Sequence, residues 1–302
     1  MDPAKHGWRA RWPTAAPGGG AGPWWAAPNT TLAELELAFG VLEAPKPHPP
    51  HLALRHEAAA PGKYPVNLDL RETVPECVGP VRDQQKCGSC WAFASVEAVG
   101  DRVCIATNGT DRPILSPLDL IACDRGCEGF IRRKCNMGCQ GGFPAMAYEF
   151  MQKKGVHSDQ CLPYDLHHQL LCPMHCLDEG HTPFRDDKAY KIAHVNKLNG
   201  YEIIVKELNE YGPVTAIFTV YQDFMSYESG IYTHVGGKKI GYHAIKIIGY
   251  GRTEDGTEYY ICQNSWGENW GENGFFRIKR DEGGMGLGAF SGVYLPPKHP
   301  RA

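Results

Sequence analysis

The sequence predicts an α+β protein with a helical, cysteine-rich half followed by a β-rich half. The chain has 302 residues, about two domains at roughly 150 residues each. Eleven of its twelve cysteines lie between Cys77 and Cys176, around one clear helical pattern. After about residue 191, short β-branched and aromatic runs alternate with glycine and turn residues, which is typical of strands. We therefore expect the body to divide into residues 64–190 and 191–302.

Composition excludes several classes of protein. The mean hydropathy is −0.38, and no apolar run approaches the roughly 18 residues that a membrane-spanning helix needs. The 31 basic and 34 acidic residues leave a formal charge of −3 without a basic stripe, so no nucleic-acid partner is expected. The high counts of glycine (35) and proline (23) indicate a loop-rich chain and exclude a coiled coil.

The N-terminal part differs from the body in lacking cysteine. Residues 1–21 show no hydrophobic period and predict a flexible arm. Leu32, Leu35 and Phe39 recur at helical spacing and predict a short helix over Thr30–Phe39, followed by a proline-rich linker. The apolar core of a signal peptide is missing. A truncated or misassigned start would reconcile this with the cysteine-rich body, which indicates export.

Within the body, hydrophobic spacing gives the elements in order. Apolar residues at i, i+4, i+7 and i+11 predict a helix over Ser89–Cys104, with Ser89 as its cap. A second helix is predicted over Val205–Tyr211. Four strands follow, at Val214–Val220, His243–Tyr250, Glu258–Gln263 and Phe275–Lys279.

A reactive cysteine is predicted at the start of the first helix, in the run Cys87-Gly88-Ser89-Cys90-Trp91. The free N–H groups and the dipole at a helix N-terminus stabilise a thiolate, and Cys90 directly follows the predicted cap. Cys87 lies upstream in the loop and is better placed for a disulfide. The alternative is that Cys90 is itself a disulfide half.

A base and two supporting groups are predicted for Cys90. His243 opens an apolar strand, and Asn264 directly follows the next strand. If these strands form a hairpin, the two side chains meet at one edge, where the amide oxygen can fix the imidazole tautomer. Gln84, six residues before Cys90, can direct its amide N–H to the oxyanion of the reaction. The alternative for His243 is a buried core histidine.

Together these motifs resemble the papain family of cysteine peptidases, and the extra cysteines make the chain most similar to the cathepsin B branch. The resemblance rests on Gln84, Cys87–Phe93, Cys139–Gly142, His243-Ala244 and Asn264–Gly267 and covers about residues 22–297. It implies a papain-like fold with a helical left domain, a β-barrel-like right domain and a cleft between them. The catalytic residues would be Cys90, His243, Asn264 and Gln84.

The resemblance also implies a zymogen. Trp24–Asn29 and the short helix after it resemble the abbreviated cathepsin B propeptide. Residues 22–63 would then lie in the cleft in the non-productive direction until they are cleaved near Gly62–Tyr64. The peptidase domain would span residues 64–302.

Five disulfides are implied by the same resemblance: Cys77–Cys104, Cys87–Cys139, Cys123–Cys172, Cys161–Cys176 and Cys127–Cys135. The last departs from cathepsin B, which has a second cysteine where this chain has Asp124. Cys90 and Cys262 would remain as thiols, the latter buried in a strand. A zinc site at Cys123, Cys127, Cys135 and Cys139 is the alternative, although these are not the usual C-x2-C pairs.

The segment after Cys161 departs from cathepsin B. Only ten residues separate Cys161 from Cys172, where cathepsin B carries a disulfide-closed occluding loop whose paired histidines hold a substrate's C-terminal carboxylate. His167-His168 remains on a shorter tether, with a solvated pair in a loop as the alternative. We therefore expect endopeptidase activity with little or no carboxydipeptidase activity.

The predicted substrate-binding residues are Gly141, Gly142, Phe143, Pro144, Ala244, Trp266 and Phe290. Phe290 aligns with the glutamate at the base of the S2 pocket in mammalian cathepsin B. An apolar pocket would leave a buried arginine unpaired, so we expect Leu, Val or Phe at P2 rather than Arg. Tyr242 replaces a glycine before the histidine and alters the rim of the cleft.

The implied partners are peptide and protein substrates, the chain's own propeptide (about residues 22–63) and cystatin-type inhibitors. The resemblance implies a monomer without a cofactor or a metal, in a lysosome- or vacuole-like compartment or secreted. The alternative from another functional class is a catalytically silent papain-fold binding protein. Such relatives usually lose the cysteine or the histidine, and this chain keeps both.

Overall fold

The computed structural model of the protein describes residues 3–10, 31, 35–36, 38–44, 46, 62–128, 134–168, 171–177 and 180–296. Helices α1 to α5 span Leu70–Thr73, Cys90–Ala106, Pro117–Cys123, Pro144–Lys153 and Tyr201–Glu210. Strands β1 to β11 span Trp8–Ala10, Leu68–Asp69, Cys127–Glu128, Lys134–Cys135, His194–Leu198, Val214–Tyr221, Tyr227–Tyr232, Lys239–Arg252, Glu258–Gln263, Phe275–Lys279 and Ala289–Val293. Both predicted body helices and all four predicted strands are present.

Nine strands form one sheet in the order β1-β7-β10-β9-β8-β6-β11-β5, with β2 pairing to β8 outside this path. Neighbouring strands are antiparallel except β7 and β10. The long strand β8 lies between β6 and β9 and is buried from His243 to Gly251. The largely apolar sequence Ala244–Tyr250, interrupted by Lys246, fits this burial, since neither face of the strand meets water.

Helix α2 lies at the centre of the molecule. Fourteen of its 17 residues are buried, which explains why its sequence has no polar face. Ser89 occupies the cap position as predicted, but its side chain makes no capping hydrogen bond. Its hydroxyl lies 3.5 Å from the carbonyl of Cys87 instead. The predicted start of the helix is therefore right, and the predicted cap interaction is wrong.

Two buried ion pairs join α2 to the β-rich half. Lys246 Nζ on β8 lies 2.5 Å from Asp101 Oδ2, and Arg102 Nη2 lies 2.7 Å from Glu207 Oε2 on α5. Burial raises the pKa of the Asp101 carboxyl, and Lys246 opposes that shift. Removing one partner of a buried pair typically costs about 3–5 kcal/mol. The Lys246–Asp101 pair therefore holds the helix that begins at Cys90 against the strand that carries His243, and the Arg102–Glu207 pair holds the same helix against α5.

The structure contains five disulfides, which join the pairs that the resemblance implied: Cys77–Cys104, Cys87–Cys139, Cys123–Cys172, Cys127–Cys135 and Cys161–Cys176. Cys90 and Cys262 are free thiols, and both are buried. All four cysteines of the zinc alternative are in disulfides, so none can act as a thiolate ligand.

The prediction of a flexible arm over residues 1–21 is wrong for residues 3–10. Strand β1 pairs antiparallel with β7 at the edge of the sheet. Trp8 is 1% exposed, and its indole ring packs on Tyr227 and Tyr232. Its Nε1–H donates to the carbonyl of Thr233 at 3.1 Å. A three-residue strand with one buried side chain gives no hydrophobic period, so the sequence pattern could not reveal it.

Part of the predicted propeptide also lies in the described residues. Leu35 and Glu36 are helical. The helix predicted over Thr30–Phe39 does not extend to Phe39, because residues 38–42 are non-helical. Trp24–Asn29 lies outside the described residues.

Candidate active site

Cys90 is the first residue of α2 and is fully buried in this structure. Burial raises the pKa of its thiol to about 11, against the opposing effect of hydrogen bonds from the backbone N–H groups of Ala244, Gly40 and Trp91. The thiol is therefore uncharged at neutral pH in this state. The N–H groups around the sulfur nevertheless form the environment that stabilises a thiolate once water can enter.

His243 and Asn264 meet as the predicted hairpin requires. Strands β8 and β9 pair antiparallel with Lys246 opposite Gln263, and His243 Nε2 lies 2.8 Å from Asn264 Oδ1. This oxygen also accepts a hydrogen bond from the backbone N–H of Ser265 at 2.9 Å, which fixes the orientation of the amide. Nε2 must therefore carry the ring proton.

The other ring nitrogen of His243 is then a proton acceptor. Among the residues that the structure describes, Nδ1 has no hydrogen-bond partner, and the side chain is fully buried. Burial lowers the pKa of His243 to about 4, against the opposing effect of the Asn264 hydrogen bond. Between about pH 4 and pH 11, both Cys90 and His243 are uncharged in this state.

Gln84 is held rigidly beside the nucleophile. Ser265 Oγ donates to its Oε1 at 2.7 Å, and the amide group donates to the carbonyls of Cys87 at 2.7 Å and Ala38 at 2.9 Å. The hydroxyl of Tyr164 donates to the backbone carbonyl of Gln84 at 2.7 Å. Sequence analysis missed Tyr164, which lies 80 positions away, and included Ser265 in a motif without assigning it this role.

Residues 38–42, which we call the cleft segment, lie across the cysteine. Val41 forms a parallel β-bridge with Gly142. The N–H of Gly142 donates to the carbonyl of Gly40 at 2.7 Å, and the N–H of Leu42 donates to the carbonyl of Gly142 at 3.2 Å. The predicted substrate-binding residue Gly142 is therefore paired with an extended peptide.

The approach of the cleft segment is closest at Gly40. A Cβ atom placed there would lie 1.8 Å from the carbonyl oxygen of Gly88, so only glycine fits. The neighbouring Phe39 packs edge-on against His243 and Trp266, each with ring centroids 5.8 Å apart. The cleft segment thus covers Cys90 and His243 together.

An apolar pocket receives Val41. Val41, Ala244 and Phe290 are 3%, 1% and 5% exposed and belong to one buried cluster. The Phe290 ring stacks on Tyr148 at 6.1 Å. The structure therefore places Ala244 and Phe290 from the predicted S2 pocket in the same buried cluster as Val41 of the cleft segment. Of the other predicted residues, Gly141, Phe143, Pro144 and Trp266 are all buried.

Sequence analysis missed a buried polar pair that supports Gly142. Asn136 Oδ1 accepts a hydrogen bond from the Phe143 N–H at 2.8 Å, and its Nδ2 donates to Asp124 Oδ2 at 2.6 Å. A Cβ on Gly142 would lie 2.6 Å from Asn136 Oδ1. Burial raises the pKa of the Asp124 carboxyl to about 6. Asp124 thus anchors, through Asn136, the segment around Gly142 that forms the β-bridge with the cleft segment.

The segment after Cys161 contains the predicted histidine pair. Leu166–His168 form one turn of 3-10 helix, and the exposed His167 donates its backbone N–H to Asp165 at 2.8 Å. The side chain of His168 lies outside the part of the chain that the structure describes.

Two further properties concern metals and membranes. Within the described ranges, the one group of side chains with metal-ligand spacing is Cys161, Cys176 and Asp187, and its two cysteines form a disulfide. None of the helices in the described part of the chain is long and apolar enough to span a membrane.

Comparison with known proteins agrees with this geometry. The model of the papain family of cysteine proteases matches residues 64–291. The chain is 40% identical over 245 residues to a cathepsin B-like cysteine proteinase of Schistosoma japonicum, covering 72% of this chain and 69% of that protein. It is 36% identical over 279 residues to a gut-specific cysteine proteinase of Caenorhabditis elegans, covering 86% and 82%.

Among solved structures, the chain is similar to procathepsin B S9 from Trypanosoma congolense. The TM-score is 0.76 at 27% identity, and the match covers 97% of this chain and 94% of the other. The family match spans most of the body that carries the Cys90, His243 and Asn264 cluster. The chain therefore belongs to the papain family of cysteine proteases, on its cathepsin B-like branch, and is a cysteine peptidase.

Proposed function

We propose that the protein is a zymogen of an endopeptidase that acts through Cys90 and His243. The observation that carries this proposal is the arrangement of the His243 ring. Its Nε2 is hydrogen-bonded to Asn264, which leaves Nδ1 as an acceptor beside the helix that begins at Cys90. His243 takes the thiol proton, and Cys90 Sγ attacks the carbonyl carbon of the scissile bond. His243 then gives the proton to the leaving amine, which departs as the acyl-enzyme forms.

The second half of the reaction, hydrolysis of the acyl-enzyme, uses the same groups. His243 takes a proton from water as the water oxygen attacks the thioester carbon. It then returns this proton to the Cys90 sulfur as the thioester bond breaks and the carboxylic acid is released. The Gln84 side-chain amide and the Cys90 backbone N–H would stabilise the oxyanion in both steps. The Gln84 amide already donates to a peptide carbonyl, that of Ala38, which supports this role. Such donors typically contribute about 10²- to 10³-fold in rate each.

The cleft segment is the inhibitory part of the propeptide in this proposal. A substrate of this family lies with its N-terminal side against Gly142, whereas the cleft segment reaches Gly142 after passing His243 and pairs with it in parallel. Its peptide bonds therefore run opposite to those of a substrate. In this direction, the oxyanion donors and the Cys90 sulfur do not face the same carbonyl group. Burial of Cys90 and His243 also keeps both groups uncharged.

Contacts at the predicted cleavage point support the proposed propeptide boundary. Near the predicted cleavage point, Lys63 Nζ lies 2.8 Å from Glu210 Oε1, and the Tyr64 hydroxyl donates to the same carboxylate. Lys63 is exposed, so a protease can reach the bond before Tyr64, which is also where the family match begins.

Active-site labelling tests the proposal against the silent binding protein. After processing, the wild-type enzyme should bind one equivalent of an epoxysuccinyl inhibitor and hydrolyse a blocked peptide, and Cys90→Ala should do neither. Cys262→Ala is the matched control, because this second free thiol is also buried but lies within strand β9 rather than at a helix N-terminus. A processed wild-type protein that neither labels nor hydrolyses would establish the binding protein instead.

The pocket around Val41 predicts the P2 preference. Peptides with Leu, Val or Phe at P2 should have a higher kcat/KM than the matched Arg peptide, because Ala244 and Phe290 offer no carboxylate to a buried guanidinium. Phe290→Glu should raise the Arg-to-Leu ratio at least tenfold, and Phe290→Gln should not. A wild-type enzyme that prefers Arg at P2 would contradict this assignment of the pocket.

The shortened segment after Cys161 predicts weak exopeptidase activity. A peptide with a free C-terminal carboxylate two residues beyond the scissile bond should be hydrolysed much more slowly than its C-terminal amide. His167→Ala is the control. If the exposed His167 holds no substrate carboxylate, this variant should have the same ratio of acid to amide hydrolysis as the wild type. Equal rates for the acid and the amide would refute the prediction.

We place the enzyme in a lysosome- or vacuole-like compartment or outside the cell. Five disulfides support this location, because reducing compartments do not sustain them. Peptides and proteins are the proposed substrates, cystatin-type inhibitors the proposed regulators, and the active form a monomer. Gel filtration of the processed enzyme tests the last point.

A further inference from the structure

A short hairpin closed by its own disulfide stands beside the cleft. Strands β3 and β4 pair antiparallel, with Cys127 opposite Cys135 and Glu128 opposite Lys134. The Cys127–Cys135 disulfide closes this ladder. The disulfide of the adjacent Cys135 therefore holds the Lys134 backbone in place, which an open loop would not do.

The side chain of Lys134 reaches the cleft wall. Its Nζ lies 5.5 Å from the centroid of the Phe143 ring, next to the Gly142 that pairs with the cleft segment. It also lies 3.0 Å from Glu43 Oε1, and the Lys134 side chain is 47% exposed. Lys134 therefore contacts both a predicted substrate-binding residue and an acidic side chain of the bound propeptide.

The position of Glu43 relative to the pocket defines the subsite. Val41 lies in the buried cluster that contains Ala244 and Phe290, Leu42 pairs with Gly142, and Glu43 comes next and reaches Lys134. A substrate would run in the opposite direction but occupy the same succession of subsites. A substrate side chain one or two residues N-terminal to P2 would then lie near the place of Glu43, within reach of Lys134.

Removal of the propeptide changes the charge around Lys134. Among the described residues, Lys46 also forms an ion pair with the Glu43 carboxylate, and it would leave with the propeptide. Lys134 stays on the enzyme and loses the partner Glu43. The peptidase would therefore carry a cationic side chain, backed by an aromatic ring, at the far end of its substrate cleft.

We propose that Lys134 makes the subsite beyond S2 select an acidic substrate side chain, at P3 or P4. The proposal rests on the proposed function, because it assigns a substrate class to the same cleft. Partly exposed ion pairs contribute modestly, so the preference for Glu over Gln should be about two- to fivefold in kcat/KM. It should shrink in 0.5 M salt, since exposed charges are screened.

The test uses the processed enzyme and two series of blocked peptides with Val at P2, one series varied at P3 and one at P4. Each series contains Glu, Gln and Lys at the varied position. We expect Glu to exceed Gln in one series, Lys134→Gln to abolish the difference, and Lys134→Glu to reverse it in favour of Lys. Lys153→Gln is the control for loss of one charge, because Lys153 is 70% exposed on α4 and pairs with Glu149.

Two outcomes would overturn the proposal. One is a wild-type enzyme that hydrolyses the Gln peptides without preferring Glu at either position. The other is a Glu preference that survives in Lys134→Gln. Failure of the proposed function is a different result, because then no peptide of either series is hydrolysed and Cys90 does not label.

Discussion

His243→Ala is expected to lower kcat by about 10³-fold or more in the processed enzyme, with little change in KM. General acid–base catalysis contributes typically about 10²- to 10⁴-fold, and His243 is proposed to act in both halves of the reaction. The imidazole is held by one hydrogen bond to Asn264 at 2.8 Å. Asn264→Ala should therefore reduce kcat less than His243→Ala does, because it disturbs the orientation of the base but does not remove it.

The pH profile separates loss of the base from loss of structure. Without His243, the thiol should return to an ordinary pKa of about 8.5, and residual activity should rise with pH as the thiolate forms. The wild-type profile should instead be bell-shaped, with the pair active between two pKa values. Processing by an added protease removes the need for self-activation. A His243→Ala enzyme within tenfold of the wild type at its optimum would contradict the assigned role.

Gly40→Val is expected to expose the nucleophile in the uncleaved zymogen. A Cβ at position 40 would lie 1.8 Å from the Gly88 carbonyl and 2.9 Å from its Cα, and neither backbone atom can yield without moving the loop before Cys90. The cleft segment must lift, which breaks its hydrogen bonds with Gly142. Since about 1.4 kcal/mol corresponds to tenfold, losing these contacts should weaken inhibition by the segment by 100-fold or more.

Epoxysuccinyl labelling at neutral pH, with the chain length checked on a gel, measures this effect. The wild-type zymogen should label slowly, and the Gly40→Val zymogen should label at a rate approaching that of the processed enzyme. Gly236→Val is the matched control, because no atom lies within 4 Å of a Cβ there. A Gly40→Val zymogen that stays as inert as the wild type would show that the cleft segment does not control access to Cys90.

The body and the meeting of the proposed catalytic residues were predictable because they depend on local patterns. The helix start at Cys90 follows from an apolar period that begins after Ser89. The meeting of His243 and Asn264 follows from two strands joined by a short turn, which leaves one register in which their ends coincide. In both cases, short-range sequence information determines the position of the reactive atoms.

The features that escaped prediction depend on long-range contacts. Trp8 is buried by β7, more than 200 positions away, and its three-residue strand has no period. Asn136 and Asp124 are polar residues in a cysteine-rich loop, and their mutual hydrogen bond appears only when the disulfides fold that loop against Phe143. The fit of Gly40 against Gly88 likewise has no signal in either local sequence.

The rate of alkylation of Cys90 as a function of pH, measured in the zymogen and in the processed enzyme, tests the central claim most directly. In the zymogen, burial raises the pKa of the thiol to about 11 and lowers that of His243 to about 4, so alkylation should be slow throughout the neutral range. After removal of the propeptide, the thiolate–imidazolium pair should form, and alkylation should already be fast in mildly acidic solution. Two superimposable profiles, both rising only at alkaline pH, would contradict the account.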